Sequence, residues 1–314
     1  MRKTLFFVHK RKKGETMTVK QMEEFERNNV FLPQETDYLI RYAWQMPVKQ
    51  YPLHHHAYYE ALYFLSGSII YAIEGKQYRL DEGTLLLVAP YELHQPCDWP
   101  GERYERITFS FDGSLPGKLS AAGYRLSGCL DTSLPGYTNV FRLEGERRKE
   151  MRELLSALLA ESGGQAYGKE LAERALITQF FLLLCRASQS GAYAAALQTP
   201  AARLVQEIAA YLENHCAEHI TLEKLEKKFY VSRYQLSRDF VRIVGCPPHR
   251  YLMQKRLVNA QRLLAEGIPP QQAARQCGFE DYSNFYRKFR AVCGTGPRGY
   301  RERIRSSAGG ETVT

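Results

Sequence analysis

The chain has 314 residues, 44% hydrophobic and 25% charged, a balance that excludes disorder throughout and a length that suits two domains better than one core. No apolar run approaches the roughly 20 residues that cross a bilayer, and Leu5 to Val8, ahead of the basic run Lys10 to Lys13, is too short for an export signal. The formal charge of +9 is uneven, since residues 200–305 carry 19 Lys/Arg against 10 Asp/Glu while residues 1–199 carry 24 against 23.

Residues 1–30 read as a disordered basic extension, with Met17 and Met22 as alternative starts. From 36 to 111 the pattern is β-rich. Runs at Tyr38 to Trp44, Glu60 to Leu65, Ile69 to Ile73, Gln77 to Leu80, Thr84 to Val88 and Tyr104 to Phe111 are separated by turns such as Glu74-Gly75-Lys76 and Asp81-Glu82-Gly83. Short strands at near-regular spacing predict a sandwich or barrel, assigned to 31–145. Within it His54, His56, Glu60 and His94 offer imidazoles and a carboxylate, a donor set adequate for zinc, iron, manganese or nickel. Tyr58, Tyr63, Tyr71, Tyr91 and Trp44 add stacking surfaces that suit a sugar-like ligand, although strand aromatics more often serve a core.

At Glu146 the period becomes helical. Met151, Leu154, Leu155, Leu158 and Leu159 form one stripe that ends at Gly163-Gly164. A second helix, about 169–187, is apolar on more than one face through Leu171, Ala175, Ile177, Phe180, Phe181 and Leu184, so it is buried in the chain or against a partner. The pair, 146–187, is assigned to dimerisation and 188–200 to a linker.

The basic segment, 201–305, repeats itself at an offset of 49 residues: Leu236, Phe240, Gly245, Pro248 and Tyr251 recur as Phe285, Phe289, Gly294, Pro297 and Tyr300. Each copy has an apolar pair at i and i+4, a glycine that ends the helix and a proline that opens the next. Upstream of each lies a short helix and a tight turn, Phe229-Tyr230-Val231 before the cap Ser232, and Cys277-Gly278-Phe279 before the cap Asp281. Two short helices joined in this way are a helix-turn-helix, whose second member enters the major groove. With the apolar pairs inward, Arg233, Tyr234, Ser237 and Arg238 face out from the first reading helix, and Tyr282, Ser283, Tyr286 and Arg287 from the second, with Asn284 beside them. Arginine can fork onto guanine, while hydroxyls and Asn284 can reach phosphates or adenine edges. A helix over 248–266 between the units spans on the order of 27 Å at 1.5 Å per residue, close to the roughly 34 Å between successive major-groove faces. The basic excess fits a polyanion partner, a solvated basic face being the alternative.

Residues 204–304 resemble the DNA-binding domain of the AraC/XylS family of bacterial transcription regulators, above all in Gly278-Phe279-Glu280-Asp281-Tyr282-Ser283-Asn284-Phe285, Arg287-Lys288-Phe289 and Gly294 through Pro297 to Tyr300-Arg301. The chain departs from the family at Glu226, where a small alanine is usual, and at Pro270 and Ala273, where apolar residues are usual. His54-x-His56-x3-Glu60-x6-Gly67 resembles the first cupin motif in full, and Gly83, Pro90 and His94 resemble the second with altered spacing and Glu92 for its glycine. The resemblance implies a ligand-sensing barrel. In that setting His54, His56, Tyr58, Glu60, Tyr71 and His94 line an effector pocket and need no metal, with no cofactor expected.

The expected architecture is therefore α+β and multidomain: an N-terminal cupin-like β-barrel with a helical dimerisation region, and a C-terminal all-α double helix-turn-helix over 201–305, followed by a disordered tail at 306–314. The expected function is sequence-specific regulation of transcription under a small effector, with a carbohydrate foremost. A metal-dependent cupin enzyme fused to a DNA-binding domain is the alternative. Expected partners are double-stranded DNA, the effector, a second copy of the chain and RNA polymerase, with no membrane. Seven cysteines, odd in number and without a Cys-x-x-Cys pair, argue against a disulfide framework and fit the cytoplasm.

Overall fold

Period-two alternation sorts the N-terminal strands into two antiparallel sheets. In this computed structural model residues 3–8, 32, 36–45, 53–98, 103–121, 123–132 and 137–308 are described, and the chain divides into two units, Met1–Gln198 and Thr199–Thr314. The strands are β1 (Lys3–Val8), β2 (Tyr38–Gln45), β3 (Tyr59–Ser66), β4 (Ile69–Ile73), β5 (Lys76–Leu80), β6 (Thr84–Val88), β7 (His94–Asp98), β8 (Tyr104–Phe111) and β9 (Val140–Arg142). One sheet runs β1-β2-β8-β3-β6-β9 and the other β5-β4-β7. Leu62, Phe64, Leu86, Val88, Tyr104 and Val140 of the large sheet share a core with Ile69, Tyr71, Ile73, Tyr78 and Leu80 of the small one. Gly67 has φ +86° and lies where a Cβ would come within 2.5 Å of the Arg103 carbonyl oxygen, so only glycine lets the β3–β4 turn pass β8.

The outer face of the large sheet is also buried. After α1 (Leu115–Leu119) and a 3-10 turn (Leu126–Leu130), helices α2 (Gly145–Gly163) and α3 (Lys169–Gln189) cover Tyr38, Ile40, Ala61, Tyr63, Leu85, Leu87, Ile107, Phe109 and Phe111. Phe180 meets Phe109, and Phe181 meets Phe111, edge to face with centroids 5.1 Å apart in both pairs. Burial on both faces explains why β6 reads as an unbroken apolar run.

On α3 the stripe Ile177, Phe180, Phe181 and Leu184 packs on the sheet of its own chain, while Leu171 and Ala175 are exposed. Two expectations need correction here. The expected linker is largely docked: Ala194 N–H donates to the Val140 carbonyl at 2.8 Å, Leu197 N–H to Gln77 at 2.7 Å, and Arg142 N–H to Ala192 at 2.9 Å. Open strand edges carry unmet backbone groups, and the segment satisfies them. Lys3–Val8, assigned to a disordered extension, pairs antiparallel with β2; the rest of 1–30 lies outside the described residues. So does 309–314 of the expected tail, whose first residues continue a helix to Ala308.

The second unit is helical: α4 (Pro200–Asn214), α5 (Leu222–Phe229), α6 (Arg233–Val244), α7 (Pro248–Ala265), α8 (Pro270–Gln276), α9 (Tyr282–Cys293) and α10 (Pro297–Ala308). Ser232 caps α6 by accepting from Gln235 N–H at 3.3 Å, and Asp281 caps α9 by accepting from Asn284 N–H at 2.8 Å. The repeat has a packing cause. Phe240 meets Tyr251 at 5.5 Å and 72°, and Phe289 meets Tyr300 at 5.3 Å and 88°, so each copy places the same aromatic pair between its reading helix and the helix that follows. Among the described residues no helix is long and apolar enough to cross a membrane. Phe240→Ala and Phe289→Ala should each cost about 3–5 kcal/mol, read as a lower urea midpoint for the helical unit; a loss below about 1 kcal/mol would refute the shared packing role.

Candidate functional site

The turn geometry of the helical unit decides which side chains reach outward. On α6, Leu236 and Phe240 are buried, Arg233 and Arg238 are exposed, Tyr234 is 77% exposed and Ser237 is half-buried. On α9, Ser283, Tyr286 and Arg287 are exposed. Tyr282 and Asn284 are only half-buried rather than outward. Tyr282 sits three residues before Phe285, on the same helix face, and its ring packs on that phenylalanine at 5.7 Å. Tyr286 also braces the turn into α10, because a Cβ at Gly296 would fall 2.8 Å from its ring. Two further cations went unnoticed in the sequence: Arg242, one turn beyond Arg238, and Arg290, three residues beyond Arg287, both exposed. Arg242 and Arg238 approach the buried Asp239 at 3.3 and 3.6 Å, which aims both from one point on α6. The signal that could have found Arg242 was the i+4 spacing of the two arginines.

A half-buried arginine holds this surface together. Arg256 on α7 donates from Nε to the Cys216 carbonyl at 2.6 Å, from Nη2 to Glu218 at 2.7 Å and from Nη1 to Gly278 at 3.0 Å. The first two carbonyls belong to the loop that launches α5, and the third to the turn before α9, so one planar guanidinium ties both reading units to α7. Gly278 completes the contact: at φ +77°, a Cβ there would lie 2.4 Å from the Ala217 carbonyl oxygen. Glu226, the departure from the family's alanine, accepts from Arg233 N–H at 3.2 Å and so adds an acceptor at the start of α6. Ala273 is fully buried and allows close packing of α8. Tyr230 holds the first turn at φ +52°, a left-handed conformation that costs a non-glycine residue.

The sheet registers place a second cluster inside the N-terminal unit. Arg41 lies opposite Thr108, and Ser110 opposite Glu60, so all four point to the same interior face. Arg41 Nη2 donates to Glu60 Oε1 at 3.0 Å, in a pair that is almost wholly buried. Glu60 Oε2 lies 3.7 Å from His56 Nε2 and 3.9 Å from His94 Nε2. Each imidazole is oriented from behind, His56 Nδ1 donating to the Tyr58 carbonyl at 2.7 Å and His94 Nδ1 to Glu92 at 2.8 Å. In the neutral ring this leaves each Nε2 as an acceptor. Burial and the neighbouring His54 and His56 hold the His94 imidazole well below its usual range. Burial opposes the charge on Glu60, yet His56 and Arg41 keep its carboxyl well below the carboxylate range.

The structure therefore brings His56, Glu60 and His94 together, with ligand atoms within 4.8 Å of one another. Tyr58 stacks on His56 at 4.1 Å, and Tyr71 lies 6.2 Å from His94. His54 packs its ring on His94 at 4.2 Å but stands outside the group of three. Arg41, Thr108 and Ser110 were missed, since no spacing links them to the histidines and only the strand pairing reveals them. His56 Nε2, His94 Nε2, Thr108 Oγ1 and Ser110 Oγ are buried and have no hydrogen-bond partner.

Comparison with known proteins follows this division. Residues 38–181 match the AraC-like ligand binding domain, and residues 225–303 match a helix-turn-helix domain. The chain is similar to the HTH-type transcriptional activator RhaS of Citrobacter koseri, at 28% identity over 82% of this chain and 90% of that protein. It is also similar to the uncharacterized HTH-type transcriptional regulator YbfI of Bacillus subtilis, at 26% identity over 77% of this chain and 84% of that one. Among solved structures, ToxT from Vibrio cholerae O395 aligns over 85% of this chain and 98% of its own, with 13% identity and a TM-score of 0.35.

The clamp and the turn make opposite predictions for stability. Arg256→Ala should lose at least about 2 kcal/mol, since hydrogen bonds to a charged donor are worth roughly 1.5–3 kcal/mol each. Tyr230→Gly should gain about 1 kcal/mol by relieving the left-handed backbone. Urea unfolding checks both, and an unchanged midpoint for Arg256→Ala would remove it from the scaffold.

Proposed function

The chain belongs to the AraC/XylS family of transcription regulators, with a ligand-binding domain and a helix-turn-helix DNA-binding domain, and on that premise we propose that α6 and α9 read successive major-groove segments of one duplex. The observation that carries this reading is the duplicated unit, two outward reading helices on repeated aromatic pairs, joined through Arg256. Arg233, Tyr234, Ser237 and Arg238 form the first reading face. Tyr282, Ser283, Asn284, Tyr286 and Arg287 form the second, with Tyr282 mainly supporting it. Arg242 and Arg290 add phosphate contacts.

The effector occupies the polar end of the barrel interior, where His56, Tyr58, Glu60, Tyr71 and His94 converge with Arg41, Thr108 and Ser110, and His54 supports His94. Buried polar atoms without partners are costly, and a ligand rich in hydroxyl groups satisfies them while stacking on the tyrosines. A carbohydrate or similar polar metabolite fits this chemistry. The relatives named as transcriptional activators support activation as the sign of control. A second copy of the chain and RNA polymerase complete the expected partners in the cytoplasm. For the second copy, Tyr167 and Leu171 offer exposed apolar surface on the helical pair.

One observation favours a second reading of the barrel site. Two buried imidazole Nε2 atoms without hydrogen-bond partners and a carboxylate oxygen face one another within 4.8 Å. Backbone carbonyls orient both rings in the manner of supported metal ligands. His56, Glu60 and His94 therefore fit a divalent transition ion, which would supply a Lewis-acidic anchor for an oxygen-bearing effector. Arg41 shares Glu60 and limits the negative charge available to such an ion.

Arg238→Ala and Arg287→Ala should each cost about 1–3 kcal/mol on the preferred site and relax its sequence preference, measured by competition binding on randomised duplexes; equal loss on every sequence would reassign that arginine to phosphate. Elemental analysis of purified protein, with and without His56→Ala, separates the barrel readings. Stoichiometric metal lost in the variant supports the ion, metal together with substrate turnover supports the enzyme, and metal-free protein that still binds a sugar in a thermal-shift screen supports the metal-free pocket.

A further inference from the structure

Cys129 and Cys185 are 56 residues apart in sequence and meet over one peptide carbonyl. Cys129, on the 3-10 turn, is 1% exposed and its Sγ lies 3.2 Å from the Leu126 carbonyl oxygen. Cys185, half-buried on α3, places its Sγ 3.5 Å from the same oxygen. Two sulfurs against one acceptor at these distances are neighbours.

That contact divides their chemistry. The neighbouring Cys129 draws the Cys185 thiol down to about 7, while Cys185 and burial push Cys129 far above the usual thiol range. Burial pushes Cys246 and Cys277 up to about 11 and about 12. The thiolate is the reactive form, so Cys185 is the activated nucleophile and Cys129 the adjacent thiol that resolves it.

We propose that Cys129 and Cys185 are a redox modification site that closes to a reversible intramolecular disulfide in response to hydrogen peroxide. The Cys185 thiolate attacks one peroxide oxygen; an S–O bond forms, the O–O bond breaks, and the departing hydroxide takes up a proton to become water. The Cys129 sulfur then attacks the Cys185 sulfenic acid; the S–S bond forms, the S–O bond breaks, and the hydroxyl leaves as water with the Cys129 proton. Two thiols and one peroxide become one disulfide and two waters, and a small dithiol returns the pair by exchange. The bond ties the 3-10 turn to α3, whose Phe180 and Phe181 rest on the large sheet, and so fixes that helix on the barrel.

Full-length protein treated with equimolar hydrogen peroxide and mapped without reductant should yield a linked peptide pair containing Cys129 and Cys185, cleaved by dithiothreitol. At pH 7 Cys185 should also alkylate with iodoacetamide at least about ten-fold faster than Cys246 or Cys277. Cys129→Ser should stop at a Cys185 sulfenic acid that dimedone traps. Because a substitution at buried Cys129 can impair folding, mapping of the unaltered chain is decisive. Linkage of other cysteines, or Cys185 sulfinic acid beside an unchanged Cys129, overturns the proposal.

Discussion

The DNA-binding half depends on one half-buried guanidinium. Each reading helix is short, 12 residues in both α6 and α9, and isolated helices of that length are marginal in water. Their relative placement must come from tertiary contacts. Arg256 provides three charge-assisted bonds to carbonyls in two loops, one before α5 and the other before α9. The closeness of Gly278 to Ala217 shows how little slack remains around that contact. A double reader needs this stiffness, because an error in the angle between two groove-inserting helices is an error in register on the duplex.

The N-terminal half solves a different problem. The space between its sheets is apolar at one end, where Phe64, Ile69, Leu80 and Leu86 pack, and polar at the other, where Arg41, Glu60, His56, His94, Thr108 and Ser110 meet. An apolar interior alone would be a more stable filling, since burying ionised and hydroxyl groups costs free energy unless each is paired. That these groups are retained there is what the proposed effector site rests on. The outer face of the same sheet is sealed by α2 and α3, and the segment after α3 is stitched to β9 and β5. The polar interior and the covering helices therefore lie on opposite faces of the large sheet, and the segment after α3 is bonded to an edge strand of each sheet.

Local rules explain what was legible beforehand. Ser232 and Asp281 cap because their oxygens reach N–H groups two or three residues on, and Gly245 and Gly294 end helices because they adopt positive φ. The strand runs, the turn glycines and the 49-residue repeat belong to the same class, each set by neighbours in sequence. Where only periodicity was available, as in α3, the apolar faces were plain but their partner was not. Amphipathicity says that a face is buried without saying by what.

The sequence by itself determined the two-part architecture, the capped reading helices with their outward arginines, and the convergence of His56, Glu60 and His94 as a site. Tertiary structure alone decided that Arg41 shares Glu60, that Arg256 joins both reading units, that His54 stands aside, and that Cys129 meets Cys185. The physical reason is reach: hydrogen bonds and caps within a few residues follow from the order of the chain, whereas contacts across a sheet or between loops depend on strand register and packing, which no short window of sequence contains.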